Sequence, residues 1–351
     1  MPLRTGYEKM LAHRAGSMYA HVSSGEGTIR SVDDDLLIID YDDGSVDHVE
    51  IGRRYGDMQG TTIPHDIVTD FEAGQRVHQG DVVAFNSGFF QRDFLDPRQV
   101  LYKEAVLAKT AIVENSFTWE DASAISERLA SSMKTTLTEK RAVAVHFSQE
   151  IRNLPKIGDE LDLETILCTI EDPVGEETEL DDTTAEILEL MKTNAPRAKI
   201  SGHLDNIELY YRGEKELMSK SLKKLADYSD KRLKERAEKR GEEPVTGRVY
   251  GNTRVAKREL SEDSAVIVFY ITHPVEAGIG DKGVFGNQMK SVFANVMTGT
   301  NETESGEPID ALFSYLSIAN RIVLSPEVMG TTNTLLRKMS KIVANEYFGE
   351  S

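Results

Sequence analysis

Short apolar runs, rich in β-branched residues and separated by turns that contain Gly or Asp, dominate the pattern of hydrophobic and polar positions along the chain. Near its start, the pattern predicts strands at Gly25 to Val32, Leu36 to Tyr41 and Gly44 to Ile51. Turns about every ten residues are typical of a small barrel or sandwich. Much further on, Ala265 to Thr272 (AVIVFYIT) predicts another strand. The pattern therefore predicts a β-rich fold.

A Gly-Asp pair recurs beside apolar segments, at Gly80–Asp81, Gly158–Asp159 and Gly280–Asp281. Glycine adopts the backbone conformations that sharp reversals need, so each pair predicts a tight turn at the end of a strand. Because the spacing between the pairs is irregular, we interpret them as recurrent β-hairpin construction rather than as a sequence repeat.

Helical patterns are few. Asp121 to Ser132 begins with an N-capping acid and continues with helix formers, so we predict a helix that starts at Asp121. Lys215 to Gly241 predicts a long charged helix whose apolar stripe is thin, which indicates a mostly solvated, projecting element. The remaining predicted elements are a short helix at Asp181 to Thr193, strands at Ile309 to Leu316 and Arg321 to Leu324, and a final amphipathic helix at Thr331 to Phe348.

Together these elements predict a mixed, β-rich α+β protein. Its β-rich body comprises Met1 to Glu150 and Val245 to Ser351, and a charged insertion, Ile151 to Pro244, interrupts it. A long insertion is tolerated in a loop of such a body when it projects outward. We therefore expect the insertion to form a protruding domain.

The charge distribution changes this picture in part. The chain of 351 residues has a formal net charge of −18, which argues against a simple basic coat for nucleic acid. The stretch Arg212 to Glu243 nevertheless holds eleven Lys or Arg residues and eight acids. The sequence is therefore still compatible with a local basic surface that binds nucleic acid. Cys168 is the sole cysteine, and neither a signal peptide nor an 18-residue apolar run occurs, so we expect a soluble intracellular protein.

Candidate chemistry concentrates in Gly278 to Lys290 (GIGDKGVFGNQMK), where glycines surround Lys282 and precede Lys290. Flexible backbone with ammonium groups suits a phosphate or a nucleic-acid strand. A basic β-turn without function is the plainer alternative. A dinucleotide fingerprint is a further one, because the first glycines match G-x-G-x-x-G, but it requires a helix opening at the third glycine.

Glu120 and Asp121 are a second candidate, because adjacent carboxylates can orient hydrated Mg²⁺. The alternative for this pair is a helix N-cap. Arg321 could bind a phosphate or form a surface salt bridge. The sequence shows no zinc-ligand spacing, nucleophile elbow or P-loop.

Five segments, in order, carry a resemblance to a known family: Ser24 to Asp33 (SGEGTIRSVD), Gly74 to Ala84 (GQRVHQGDVVA), Phe117 to Arg128 (FTWEDASAISER), Gly280 to Lys290 (GDKGVFGNQMK) and Pro308 to Arg321 (PIDALFSYLSIANR). They resemble motifs in the C-terminal part of the β subunit of multisubunit DNA-dependent RNA polymerase. The insertion lies where that family has its flap, or wall. The chain therefore looks like a fragment of a split β subunit, as found in giant bacteriophages. The resemblance implies a double-psi β-barrel in a hybrid-binding body, with an inserted α+β flap.

The resemblance also implies roles for single residues. Lys282 matches a lysine that contacts the RNA 3′ region, and Arg321 matches an arginine that contacts the substrate triphosphate. The family's second lysine falls on Gln288, in a loop shorter than the family's, and Lys290 can replace it only if this loop is rebuilt. The other implied site residues are Glu120 and Asp121 near the second Mg²⁺, and Arg14, Asn287 and Gln288 near nucleic-acid phosphates.

By this resemblance, the chain belongs to a nucleotidyltransferase that is active only in complex. The resemblance implies Mg²⁺ as the cofactor, held mainly by the β′-type partner, because the family's DFDGD metal motif belongs to that subunit; no such motif occurs here. The other implied partners are an N-terminal β-type fragment, template DNA, RNA, nucleoside triphosphates and a sigma-like initiation factor at the flap, with no membrane. The implied location is the cytoplasm of an infected bacterial cell, or the virion. A non-catalytic assembly or regulatory protein that retains the β scaffold is the alternative, and Gln288 and the shortened loop favour it.

Overall fold

The computed structural model describes residues 6–58, 60–103, 105–172, 195–251, 253–255, 258–321 and 324–349. The chain divides into two compact units. Unit 1 comprises Met1–Arg14, Phe89–Thr135 and Val275–Ser351, and unit 2 comprises Ala15–Gly88 and Thr136–Pro274. The predicted insertion lies within the second segment of unit 2, and its separation from the body as a flap stays a prediction.

The described helices and strands confirm a mixed, β-rich α+β class. The helices are α1 (Tyr7–Met10), α2 (Glu127–Ser132), α3 (Lys220–Arg240), α4 (Tyr315–Arg321) and α5 (Ser325–Phe348). The strands are β1 (Ala20–Val22), β2 (Gly27–Val32), β3 (Leu36–Tyr41), β4 (Val46–Glu50), β5 (Gly52–Met58), β6 (Thr61–Val68), β7 (Arg76–Val77), β8 (Val82–Asn86), β9 (Phe90–Asp93), β10 (Asp96–Tyr102), β11 (Thr110–Ile112), β12 (Ala122–Ser126), β13 (Thr135–His146), β14 (Glu150–Arg152), β15 (Glu160–Leu161), β16 (Thr169–Glu171), β17 (Gly202–Arg212), β18 (Arg254–Val255), β19 (Arg258–Glu259), β20 (Ser264–Val275), β21 (Lys282–Phe285), β22 (Met289–Met297) and β23 (Ala311–Phe313). The helix predicted at Asp181 to Thr193 lies outside the described residues.

Unit 2 is built around an eight-stranded sheet with the order β1-β8-β6-β13-β20-β17-β15, in which β5 also pairs with β6. The apolar run predicted as a strand lies within β20, near the middle of this order, and Ala265 to Tyr270 are buried. A four-stranded sheet, β4-β3-β2-β7, contains the three strands predicted near the start of the chain. None of the sheets in the described ranges closes into a barrel, so the double-psi barrel remains an expectation.

Helix α3 is the charged helix predicted from the sequence, and most of its charged residues are exposed as expected, but one of its faces packs into the core of unit 2. Leu222 and Ala226 are fully buried and pack with Leu204 and Leu209 of β17. The helix also buries a charge, because Asp230 is only 4% exposed. Its carboxylate is fully paired, since it accepts from Tyr211 Oη (2.9 Å), the Gly247 N–H (2.8 Å) and Lys215 Nζ (2.7 Å). A thin apolar stripe is therefore enough for a core helix when its buried acid has partners.

The three Gly-Asp turns share one geometry. Each glycine has a positive φ, of 88°, 102° and 95° for Gly80, Gly158 and Gly280. In each turn, the Asp carboxylate accepts the backbone N–H of the residue three positions earlier at 2.8 Å. The predicted tight turns are confirmed, but the hairpin interpretation is wrong. The strands on either side of each turn belong to different sheets, so these turns carry the chain from one sheet to the next.

Unit 1 contains a five-stranded sheet with the order β11-β23-β12-β22-β21. Strand β12 lies parallel to β22 and antiparallel to β23. The helix predicted to begin at Asp121 begins instead at Glu127, after Ser126, whose Oγ accepts the Leu129 N–H at 3.1 Å. The intervening residues form β12 because their apolar side chains are buried in this sheet, which overrides their helical propensity.

The C-terminal part of unit 1 is helical. The prediction of a strand at Arg321 to Leu324 is wrong at its first residue, because Arg321 is the last residue of α4. Helix α5 confirms the final amphipathic helix and begins earlier, at Ser325. Many of its apolar side chains are exposed: Val328, Leu335, Met339, Ile342, Val343 and Tyr347. Within the ranges searched, no helix has both the length and the apolar character to cross a membrane.

Candidate functional site

The glycine-rich stretch forms an antiparallel hairpin. Strands β21 and β22 pair with Lys282 opposite Val292 and Val284 opposite Lys290. The connecting residues are Gly286, Asn287 and Gln288, and the first and last have φ values of 61° and 63°. Because the third glycine of the G-x-G-x-x-G match lies inside β21, no helix opens there. The dinucleotide fingerprint therefore fails.

The two faces of this hairpin differ in chemistry. Met289, Ser291 and Phe293 of β22 are buried, and Gly283 lies close against the ring of Phe293. Since side chains alternate along a strand and directly paired residues share a face, the opposite face is formed by Lys282, Val284, Lys290 and Val292, which are all exposed. One strand face thus presents both candidate lysines to solvent.

Lys282 and Lys290 are diagonal neighbours across the strand pair, so their Cα atoms lie about 7–8 Å apart. Neither lysine forms a salt bridge with another residue of the described ranges. Two like charges on one face repel each other, and an anion bound between them relieves that repulsion. The pair is therefore suited to phosphate, in agreement with the chemistry expected from the sequence.

Arg321 reaches from the end of α4 to the same hairpin. Its Nη1 donates to the Gln288 carbonyl at 2.8 Å, and its Nη2 donates to Asp121 Oδ1 at 2.5 Å. A longer contact of 3.5 Å joins Nη2 to the Lys290 carbonyl. The guanidinium therefore links α4, the hairpin and the residue that precedes β12. This is the salt bridge considered as the alternative for Arg321.

Glu120 and Asp121 occupy a turn before β12 rather than the start of a helix. Glu120 has a φ of 53°, a left-handed conformation that is uncommon for residues other than glycine. Its carbonyl accepts a hydrogen bond from Ser317 Oγ of α4, and the Asp121 carbonyl accepts the Val292 N–H at 2.9 Å. The turn is therefore held from two sides, by α4 and by β22.

Glu114 is a supporting residue that the sequence did not single out. Its Oε1 accepts from Ser314 Oγ at 2.8 Å and from the Leu316 N–H at 2.9 Å, at the start of α4. These hydrogen bonds, the Leu316 N–H first, lower the pKa of the Glu114 carboxyl. Ser314 and Leu316 lie 200 and 202 positions after Glu114 in the sequence, so no local pattern could have revealed these contacts.

The acidic pair does not by itself form a metal centre. Within the described part of the chain, no group of three or more His, Cys, Asp or Glu side chains is placed to hold a metal ion. Asp121 is moreover engaged by Arg321. Mg²⁺ prefers six oxygen ligands in near-octahedral geometry. The two carboxylates fall short of that set.

The structure thus brings most of the sequence-predicted residues together in unit 1. Asn287 lies in the connection of the hairpin, and its Oδ1 accepts from Ser325 Oγ, at the start of α5, at 2.9 Å. Arg14 is also in unit 1, exposed and close after α1, and among the described residues no side-chain contact connects it with the hairpin.

No protein-family model matches the chain, and no curated protein matches it either.

Proposed function

We propose that this chain is a split β-subunit fragment of a multisubunit DNA-dependent RNA polymerase. In this role it contributes contacts to the nucleoside triphosphate and to the RNA–DNA hybrid during template-directed RNA synthesis. The observation that carries the proposal is the shared, exposed face of Lys282 and Lys290 beside the Arg321–Asp121 pair. Glu120 and Asp121 are more than 150 positions from this hairpin in the sequence and adjoin it in the fold.

The chain would act through charge rather than covalent chemistry. Lys282 and Lys290 bind RNA phosphates, and such preorganised cations stabilise the charge that develops during phosphoryl transfer. A guanidinium has five N–H donors, and the contacts of Arg321 use three of them. The others remain for a triphosphate oxygen. When bound by the complex, Mg²⁺ would supply further charge neutralisation.

Helix α5 supports an assembly of several chains. Its exposed apolar side chains follow the three- and four-residue spacing of one helix face, from Val328 to Tyr347. An apolar stripe of this length is a feature of surfaces that other proteins cover. Partner subunits that complete a polymerase would cover it.

A second candidate function is a non-catalytic assembly or regulatory role on the same scaffold. Two observations favour it. Arg321 is held by a carboxylate and by backbone carbonyls, which is a structural task. Gln288, at the position of the family's second lysine, is a turn residue with a positive φ.

The test uses the complete complex, reconstituted from this chain and co-expressed β′-type and N-terminal β-type fragments. Extension of RNA on a preformed RNA–DNA scaffold is measured at limiting nucleotide. Lys282→Ala should slow extension by about 10²–10³-fold, the typical effect of losing one preorganised contact. Lys224→Ala is the matched control, since this lysine is exposed on α3 in unit 2. If both variants extend RNA at the parental rate, the non-catalytic function replaces the proposed one.

Arg321 separates the two candidates further. Under the proposed function, Arg321→Ala raises the nucleotide KM or lowers kcat in complexes that assemble normally. Under a purely structural role, the substitution lowers the thermal stability of the chain, and the complexes that remain extend RNA with unchanged KM and kcat.

A further inference from the structure

The chain has a single tryptophan, Trp119, and this residue is 69% exposed. Nearby Phe117 is also exposed, at 42%. Tryptophan is on average a highly buried residue, so an indole left in water is informative where a single exposed Leu is not. Tryptophan is enriched at surfaces that bind partners, because its ring is apolar while its N–H can form a hydrogen bond.

The backbone that carries Trp119 is firmly held. Thr118 is fully buried, and its Oγ1 donates to the Val113 carbonyl at 2.7 Å and accepts the Asn115 N–H at 2.9 Å. The Ala122 N–H donates to the Trp119 carbonyl at 3.1 Å. The fold therefore orders this loop and still leaves the indole in solvent. Binding to such a preorganised ring costs little conformational entropy.

This loop adjoins the cationic strand face. Two residues after Trp119, the Asp121 carbonyl accepts the N–H of Val292, which shares the exposed face with Lys282 and Lys290. Arg321 already pairs with the Asp121 carboxylate. Glu120 stays as an acidic side chain beside Trp119, which disfavours a phosphate at that point. A base is therefore better suited than a phosphate to lie next to the indole.

We propose that Trp119 stacks on a base of a single nucleic-acid strand whose phosphates are bound by Lys282 and Lys290. An aromatic platform beside a cationic track is the arrangement by which proteins bind single strands with little sequence preference. The class of ligand rests on the proposed function, whereas the arrangement of the ring and the lysines does not. A protein partner over Trp119 is the competing occupant, and the unpaired lysines beside the loop favour the nucleic acid.

The test uses the full-length chain alone with a single-stranded RNA oligonucleotide. Because Trp119 is the sole indole, its fluorescence reports stacking directly, and a saturable quench is expected. The anisotropy of a dye-labelled oligonucleotide gives the affinity of each variant. Trp119→Ala should weaken binding by about 30-fold, the middle of the range for one base–aromatic stack, and Trp119→Phe should weaken it less.

Lys282→Ala combined with Lys290→Ala should reduce the slope of log affinity against log salt by about 1.4, because each phosphate contact to a single strand contributes about 0.7. Lys338→Ala combined with Lys341→Ala on α5 is the matched control and should leave the slope unchanged.

Absence of binding, binding without a quench, or equal affinity of Trp119→Ala and the parent would overturn the inference. Loss of subunit assembly in Trp119→Ala with unchanged RNA affinity would assign the ring to a protein partner and would likewise overturn it. The proposed function can fail separately from this inference. If the oligonucleotide quenches Trp119 fluorescence but Lys282→Ala does not change the extension rate of the complex, the stacking site stands and the polymerase role is rejected.

Discussion

The substitution Gly283→Ala tests how the lysine face is positioned. A Cβ added at Gly283 would lie 2.5 Å from Cζ and 2.7 Å from Cε1 of Phe293. Phe293 is 4% exposed and packs with Ile125, Leu129 and other buried residues of unit 1. Its ring cannot move aside without disturbing this core, so the added methyl group must displace β21 or the ring.

The expected magnitude follows from two opposing effects. Overpacking a well-packed core typically costs about 1–3 kcal/mol. Replacing glycine with alanine also restricts the unfolded chain, which stabilises the protein by about 0.4–1 kcal/mol. We therefore expect a net loss of about 1–2 kcal/mol in the free energy of unfolding.

Urea denaturation followed by circular dichroism measures this loss, and hydrogen exchange at the amides of Val292 and Phe293 assigns it to the hairpin. Gly278→Ala is the matched control, because a Cβ at Gly278 meets nothing within 4 Å. Its midpoint should be unchanged or slightly higher, whereas that of Gly283→Ala should fall by roughly 0.3–1 M. Equal midpoints for the two variants would refute the reasoning that the Phe293 ring sets the position of β21.

Two further predictions concern α3 and the start of α4. Leu222→Ala should lower the free energy of unfolding by about 2–5 kcal/mol, because Leu222 is the fully buried leucine of α3. Leu217→Ala, at a position 60% exposed, should change it by less than about 0.5 kcal/mol, and similar urea midpoints for both would mean that α3 is not part of the core. Glu114→Gln should lower the midpoint at neutral pH, because the lowered pKa of the Glu114 carboxyl means that its charged form is stabilised in the folded state. This difference should be complete above the ordinary carboxyl pKa of about 4.3 and should shrink as pH falls through the lowered folded-state value; a difference that grows in acid would contradict it.

Local features were predictable from the sequence because they depend on short-range physics. The Gly-Asp turns are examples, since a glycine at positive φ and a carboxylate that accepts the N–H three residues back require only neighbouring residues. The strand within β20 was likewise predictable, because a continuous apolar run in an extended segment has few alternatives.

Where local preference and packing disagreed, packing decided. Asp121 to Ser126 has the composition of a helix start, yet it includes β12, because pairing with β22 and β23 buries its apolar side chains. The charged pattern of Lys215 to Gly241 concealed a core helix, because the partners that satisfy Asp230 are Tyr211, Lys215 and Gly247, two of them outside the helix's own pattern.

The sequence by itself determined where the charged and aromatic residues lie, where the chain turns sharply at the Gly-Asp pairs, and strands such as β2, β3 and β20. Only the tertiary structure decided that each Gly-Asp turn leads into another sheet and that Lys282 and Lys290 share one exposed face. It also decided that Arg321 pairs with Asp121, which lies 200 positions earlier. Contacts over such separations depend on the burial and hydrogen bonding of the whole unit. Patterns of neighbouring residues in one sequence therefore cannot predict them.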